Sequence, residues 1–494
     1  MIGQQKAESY PTVRTIVFLV ALAVLLGQIG QILLGEAGQA GAALRLPFAL
    51  NYVEGITLDQ QQRPSLEALY PQHLTPAPFA VTSSPPLYYL LTRALGAAAG
   101  VPSFVPGRAV SIAATLAAAL LTGLICLGLS RKAVGALAAG VMVLMFPAVS
   151  YWGLFNTPEP LAFAFGLASL CALVWFDNAT GVTLAGVFIV AAAATGGSLA
   201  LTPWLTAVVW LLLQRRWRAV IGLGLAVPAC WTAGVLVLNT ITGGGFVLNV
   251  ITAGDRGYSG LQMLGYMFNL LVRVIPLLVI CLAYFLVERL NELERPPGSD
   301  RALVFLLTAF GAGALSGFIG TNMSATLMPA AAICVAMGVA LGWLSQFRLV
   351  AAGVLVALFV QLTPLEEWRA FEFTPEIQRK LNGVSEASQL AKMFHDAGGA
   401  VLTDEYISTL VMQGQRPYIY PLEFNQLQTA GKWSDADLVS AIRTKHFKLI
   451  ALYEPATGDG LPLVIQRWPR PVIDAISEAY KPNGTLADAE IFVP

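Results

Sequence analysis

Charge is what this sequence has least of. Only 12% of its 494 residues are Asp, Glu, Lys or Arg, against roughly a quarter in soluble domains, so water is not the solvent for much of its surface. With 56% hydrophobic residues and a mean hydropathy of +0.67, that solvent is lipid. Its 29 basic and 29 acidic residues cancel, which leaves no electrostatic footprint for a nucleic acid. Histidine is also scarce: His73, His395 and His446 are the only three, and no two stand at helical ligand spacing, which argues against zinc. The five cysteines, Cys126, Cys171, Cys230, Cys281 and Cys334, lie far apart in apolar segments, so neither a metal spacing nor a disulfide framework follows. No serine sits in a nucleophile elbow with histidine and acid nearby. Gly243-Gly244-Gly245-Phe246 is no phosphate-cradling loop either, because it lacks a Lys-Ser/Thr ending and a preceding strand.

What the sequence does have is a series of long apolar runs. The first, Thr15 to Leu34, follows Lys6 and Arg14. At about 20 residues it is long enough to cross a bilayer and longer than the core of a cleaved signal, typically about 7–15, so it predicts an uncleaved first helix. Further spans are expected near 109–129, 133–150, 159–176, 181–197, 199–213, 219–238, 263–287, 302–319, 327–345 and 349–364, making about eleven transmembrane helices. Arg131, Lys132, Arg215, Arg216, Arg218, Arg289, Arg295, Arg301 and Arg348 fall at alternate ends of this series, on the side of Lys6 and Arg14. By the positive-inside rule the N-terminus is cytoplasmic, and the loops 35–107, 240–262 and 320–326 lie outside with the tail. The expected plan is therefore a polytopic α-helical membrane domain over 1–364 and a small extracytoplasmic α/β domain over 365–494. In the tail, Ala400–Thr403 and Phe447–Leu452 read as strands, and the stretches around 376–394 and 436–445 as helices.

The first outer loop is too long to be an idle connection, and its prolines forbid a continuous helix; short helices lying beside the membrane are expected. Glu54, among Tyr52, Val53 and Ile56, is either a solvated acid or a carboxylate poised as a general base. Asp59 and Glu67 have weaker settings. Arg108, which follows Gly107 and opens the second span, is either an interfacial anchor or a fork for phosphate oxygens. Arg273 lies some ten residues into an apolar span, three before Pro276, where an ionisable group lines a cavity or snorkels. Glu159, in Asn156-Thr157-Pro158-Glu159-Pro160, has the form of an ordinary helix start as well as of an outer-face acid.

Tyr52-Val53-Glu54-Gly55, Leu69-Tyr70, Ser84-Pro85-Pro86-Leu87-Tyr88 and Gly107-Arg108, in this order and at this spacing, resemble the GT-C superfamily of membrane glycosyltransferases. The branch they are most similar to holds bacterial protein O-mannosyltransferase and aminoarabinose transferase-like proteins. Asn156–Glu159, Gly243–Phe246 and Leu327-Met328-Pro329 extend the likeness over most of the chain. The resemblance implies an inverting transfer of a hexosyl or pentosyl group from a polyprenyl-phosphate-linked donor to an acceptor hydroxyl of a lipid, polysaccharide or protein. The setting it implies is the outer face of a bacterial cytoplasmic membrane. Glu54 is then the base and Arg108 a contact of the donor phosphate; Arg273, an ionisable group at depth in its span, is a second candidate for that phosphate. Asn51, Tyr52, Asp59, Tyr88, Tyr89 and Glu159 are pocket candidates; no metal site is expected, although a divalent ion is compatible with the chemistry. Asn51 stands where many relatives carry an acid, and Ala325-Thr326 where they often show asparagine. The rival readings are a transporter or flippase of lipid-linked or small solutes, and an oligosaccharide ligase or polymerase of another fold.

Overall fold

The computed structural model describes residues 9–97, 102–253, 260–290, 298–316, 323–345, 347–372, 374–453 and 467–494. Lys6, Asp255–Tyr258, Arg295 and part of the loop 320–326 lie outside them.

Helix α1 (Ser9–Arg45) runs well past the expected end of the first span. Nothing interrupts it between Pro11 and Pro47, and its last turns are rich in alanine, the best helix former, so the first loop begins only at Leu46. Three short helices follow, α2 (Tyr52–Gln61), α3 (Leu66–Leu69) and α4 (Leu87–Ala97). Next come α5 (Val105–Ser130), α6 (Ala133–Met142), α7 (Pro147–Leu154), α8 (Glu159–Trp175), α9 (Ala179–Gly196), α10 (Leu201–Leu213) and α11 (Trp217–Ile241). The helical part ends with α12 (Gly260–Arg273), α13 (Ile275–Leu290), α14 (Ser299–Ser316), α15 (Leu327–Leu344) and α16 (Arg348–Glu372).

Among the described residues, five helices are long and apolar enough to cross a membrane, or seven if each of two bent pairs is one span. The bends fall where prolines forbid straight helices. Residues 133–150, expected as one span, break by 65° between the stretch ending at Met145 and α7, with Pro147 opening α7. Residues 263–287 break by 79° between α12 and α13, where Pro276 has no N–H to continue the ladder.

The helical stretch 179–213 is not one rod. A straight helix of its 35 residues would be about 52 Å long, yet Asp177 before it and Arg216 after it are joined by an ion pair of 2.7 Å. The chain therefore reverses, at Gly197 with φ +54°, and α9 and α10 run antiparallel. Two further contacts orient the bundle. Arg348 bonds Thr15 near the start of α1, and Gln28 Nε2 donates to Phe359 O (3.3 Å) and Thr363 Oγ1 (3.2 Å) further along both helices. Thus α1 and α16 run parallel, and the segments that follow them emerge at the same end.

The centre of the bundle is α15, buried from Leu327 to Gly342; a helix apolar all round belongs in a core. It crosses α6 backbone to backbone: a Cβ on Gly135 would stand 2.0 Å from the Gly338 carbonyl oxygen.

Beyond α16 the chain forms α17 (Thr374–Asn382), α18 (Val384–Asp396), β1 (Val401–Thr403), α19 (Ile407–Met412), α20 (Pro421–Thr429) and α21 (Ala436–Arg443). Strand β2 (Leu449–Tyr453), α22 (Arg470–Ala479), β3 (Lys481–Leu486) and β4 (Ala489–Val493) complete it. The sheet order is β1-β2-β4-β3, parallel between β1 and β2 and antiparallel elsewhere. The strands expected near 400–403 and 447–452 are β1 and β2. The expected domain boundary at 364/365 falls inside α16, whose main chain stays helical to Glu372.

Candidate functional site

Helix α2 carries the site. Asn51, extended at φ −151°, caps it by accepting from Glu54 N at 3.0 Å. Asparagine and aspartate are equally good at this task, so Asn51 in place of an acid leaves the helix start intact. The cap sets Glu54 in the first turn, where the helix dipole favours a carboxylate.

Glu54 and Arg108 do meet, as a closed pair. The guanidinium donates from Nε to Glu54 Oε1 (2.9 Å) and from Nη2 to Oε2 (2.7 Å). Its other N–H groups go to the carbonyls of Ala43 (2.5 Å), Leu46 (2.7 Å) and Phe48 (2.7 Å), and it lies over the Phe104 ring at 4.6 Å. All five donors of an arginine are used. Glu54 takes two more bonds, from Leu50 N to Oε2 and Asn156 N to Oε1, both 2.7 Å. Both side chains are fully buried. In this geometry Glu54 has no lone pair left for a proton from a substrate, and Arg108 no N–H left for a phosphate. The pair instead ties the end of α1, the start of α2, α5 and the Asn156 turn to one point.

Asn156 is the next node. Its side chain exchanges two bonds with Gln61 (2.8 and 3.1 Å) and its Oδ1 accepts from Tyr88 Oη at 2.8 Å. Gly107 is required beside it, since a Cβ there would stand 1.7 Å from Asn156 Oδ1. Burial first, and then the charges of Glu54 and Glu159, raise the Tyr88 phenol well above its ordinary value despite the bond from Ser111, so Tyr88 stays a neutral donor. Glu159 is half-buried in the first turn of α8, three residues after Asn156.

Around the far end of α2 lies a cavity of about 210 Å³, lined by Gln60, Gln61, Arg63, Pro64, Ser65, Leu66, Leu69, Tyr89, Leu90 and Arg93. Arg63 is held by Asp59, whose carboxylate also accepts from Tyr420 Oη. Burial works against the Arg63 charge, but Tyr420 and Asp59 outweigh it and raise the guanidinium above its ordinary value. Arg93 reaches back from α4 to the carbonyls of Arg63 (2.6 Å) and Pro64 (2.8 Å).

Of the sequence candidates, the structure brings Asn51, Glu54 and Arg108 together, links Tyr88 to them through Gly107 and Asn156, places Tyr89 in the cavity wall and sets Glu159 in the first turn of α8. Tyr52 faces the other way: its hydroxyl donates to Glu423 Oε2 (2.8 Å) and accepts from Leu422 N (3.1 Å). Asp59 serves Arg63 from behind. Arg273 ends α12, where its carbonyl accepts from Gln361, and α12 packs on α13, α14 and the 323–326 turn. The reading of the sequence missed Arg63, Arg93, Gln61 and Tyr420. Arg93 had a visible signal: it follows Tyr89 by four residues on a helix, hence on the same face. Tyr420 had none, since it comes from the far end of the chain. Among the described residues no three His, Cys, Asp or Glu side chains converge as a metal site.

No family model matches the sequence, and no curated protein matches it. Solved structures do match. ArnT from Cupriavidus metallidurans bound to undecaprenyl phosphate aligns with a TM-score of 0.61 at 13% identity, over 94% of this chain and 98% of that chain. The same protein in the apo state gives 0.61 at 12% identity, over 98% of both chains. The Archaeoglobus fulgidus oligosaccharyltransferase in complex with Zn and sulfate gives 0.50 at 12% identity, over 91% of this chain and 72% of that chain. At such identities the likeness establishes the fold. The chain shares the fold of these structures over nearly its whole length.

Proposed function

We propose that the protein is an inverting glycosyltransferase that moves a hexosyl or pentosyl group from a polyprenyl-phosphate-linked donor to an acceptor hydroxyl of a cell-envelope lipid, polysaccharide or protein. The reaction runs on the outer face of a bacterial cytoplasmic membrane. The observation that carries this reading is the cavity of about 210 Å³ with two guanidinium groups in its wall, in a chain whose fold follows a polyprenyl-phosphate-binding protein over almost its whole length.

The cavity has the chemistry of a lipid-phosphate site. Leu90 lines it and is 45% exposed, and Leu91 (37%) and Leu95 (51%) continue the apolar face of α4 outward, a path for an isoprenoid tail. Arg63 and Arg93 hold the phosphate at its inner end, and with Asp59 behind Arg63 the group carries one net positive charge, matching one phosphodiester. In the transfer the bond from the anomeric carbon to the phosphate oxygen breaks, and the acceptor oxygen bonds to the opposite face of that carbon. The phosphate gains a negative charge as it leaves, which the two guanidinium groups stabilise. The acceptor proton passes to a carboxylate. Glu159 is the acid we assign to that role, because it is half-buried at the start of α8, three residues after Asn156, whereas Glu54 is saturated by Arg108 and two backbone N–H groups. Glu54 and Arg108 are then positioning residues, and Arg273 has no role in this scheme.

The test is binding and turnover in nanodiscs. Purified protein should bind undecaprenyl phosphate and transfer sugar from a synthetic polyprenyl-phosphate sugar, with Arg63→Ala and Arg93→Ala weakening binding and Glu159→Gln abolishing transfer but not binding. Well-folded protein that binds no polyprenyl phosphate sinks the proposal.

A further inference from the structure

A side chain of the C-terminal segment meets the partner of a cavity residue: Tyr420 bonds Asp59, which holds Arg63. Tyr420 is fully buried and fixed at its main chain: Phe79 N donates to Tyr418 O (2.9 Å) and Tyr420 N to Phe79 O (3.1 Å), a strand-like bridge between the first loop and residues 418–420. Pro421 then starts α20, so the backbone on both sides is set. The phenol points back into the first loop and donates to the same oxygen of Asp59 that receives Arg63. Nothing in the packing of Tyr420 requires this hydroxyl; phenylalanine would fill the same space among Tyr52, Ile56 and Phe104. A buried hydroxyl aimed at an ion pair fixes where the pair sits: the phenol donates to Asp59 and also acts directly on the Arg63 guanidinium.

We infer that Tyr420 is a positioning residue for the donor site: through Asp59 it sets the Arg63 guanidinium where it can meet the donor phosphate, so that the C-terminal segment tunes donor binding without touching the donor. This rests on the reading of the cavity as the lipid-phosphate site. With the phenol gone, the Asp59–Arg63 pair loses the group that fixes its position, and the guanidinium is no longer held at the cavity wall. With the carboxylate neutralised, Arg63 loses the partner that orients it.

The experiment uses the full chain in nanodiscs of neutral phospholipid, with undecaprenyl phosphate as the probe, and records both Kd and binding stoichiometry. A merely structural lesion lowers the number of competent sites and leaves their Kd unchanged. Tyr420→Phe should raise Kd about tenfold, the equivalent of one hydrogen bond to a charged group, at unchanged stoichiometry, and should add nothing in an Arg63→Ala background. Asp59→Asn approaches the same relay from its other end and should also raise Kd, which keeps the test decisive if Tyr420→Phe does not fold. Wild-type Kd in both variants, or the same loss from Tyr420→Phe in the Arg63→Ala background, overturns the inference alone. Failure of the wild-type protein to bind the probe overturns the donor-site reading and this inference with it.

Discussion

Removing Arg108 should unfold the site before it touches the chemistry. Arg108→Ala leaves the fully buried Glu54 carboxylate with only two N–H partners and removes the guanidinium bonds of the Leu46 and Phe48 carbonyls, while Ala43 O keeps its bond from Leu46 N. Breaking a buried pair from one side costs about 3–5 kcal/mol, and each stranded carbonyl about 1–3 kcal/mol more. The sum rivals the whole stability of many domains, about 5–15 kcal/mol. Glu54→Gln should be costly too, because one end of the amide turns its own donors toward the N–H groups that now face oxygen. Replacing both partners with apolar residues of similar volume, Glu54→Leu with Arg108→Met, should recover part of the loss, since no charge is then stranded. The assay is equilibrium unfolding in mixed micelles for the four members of the cycle, with a coupling of about 3 kcal/mol or more expected. A Glu54→Gln protein as stable as the wild type yet devoid of transfer would refute the reasoning and return Glu54 to the chemistry as the base.

Three further outcomes follow from the same geometry. Arg63→Ala combined with Arg93→Ala should weaken undecaprenyl phosphate binding by about a hundredfold or more, at about 1.5–3 kcal/mol for each charged hydrogen bond; a lipid-binding titration in nanodiscs reads it. Tyr52→Phe, which removes the bonds to Glu423 and from Leu422 N, should cost about 1–3 kcal/mol and speed hydrogen exchange in α20, with transfer retained. Acid sensitivity of the C-terminal segment should depend on Lys380. Burial pushes the Glu405 carboxyl up, but Lys380 and Arg467 outweigh that and hold it below its ordinary value of 4.5. An acid with a depressed folded pKa stabilises above its unfolded value and loses that contribution as pH falls through the folded one. Lys380→Met should therefore move the acid-induced loss of structure in 374–453 to higher pH, as followed by circular dichroism.

The sequence made the architecture legible because lipid writes in long words: runs of some twenty apolar residues and alternating arginines survive without knowledge of any contact. Bends at Pro147 and Pro276 were also written there, as prolines inside those runs. The continuation of α1 to Arg45 was less visible, since alanine-rich turns beyond a membrane read equally as loop. The site was half legible. Glu54, Tyr88 and Arg108 stood out in the sequence, and the structure joins them, with Gly107 and Asn156, in one hydrogen-bond network. Roles were not legible, because a carboxylate and a guanidinium have the same letters whether they face a substrate or each other. Three backbone carbonyls beside Arg108 decide that question, and carbonyls leave no trace in composition. Tyr420 was invisible for a related reason: the Asp59 to which it donates lies hundreds of residues away, and long-range contacts such as the pairing of Phe79 with Ile419 and the bonds of Tyr52 to Glu423 and Leu422 bring the two segments together.

The most direct test of the account is the position of the phosphate in an experimental structure of the full chain in nanodiscs with undecaprenyl phosphate. The account predicts phosphate density within hydrogen-bond reach of Arg63 and Arg93, a tail running along Leu90, Leu91 and Leu95, and an unbroken Glu54–Arg108 pair. Density bound by Arg108 with that pair opened, or held by Arg273 at the α12–α13 bend, would contradict it.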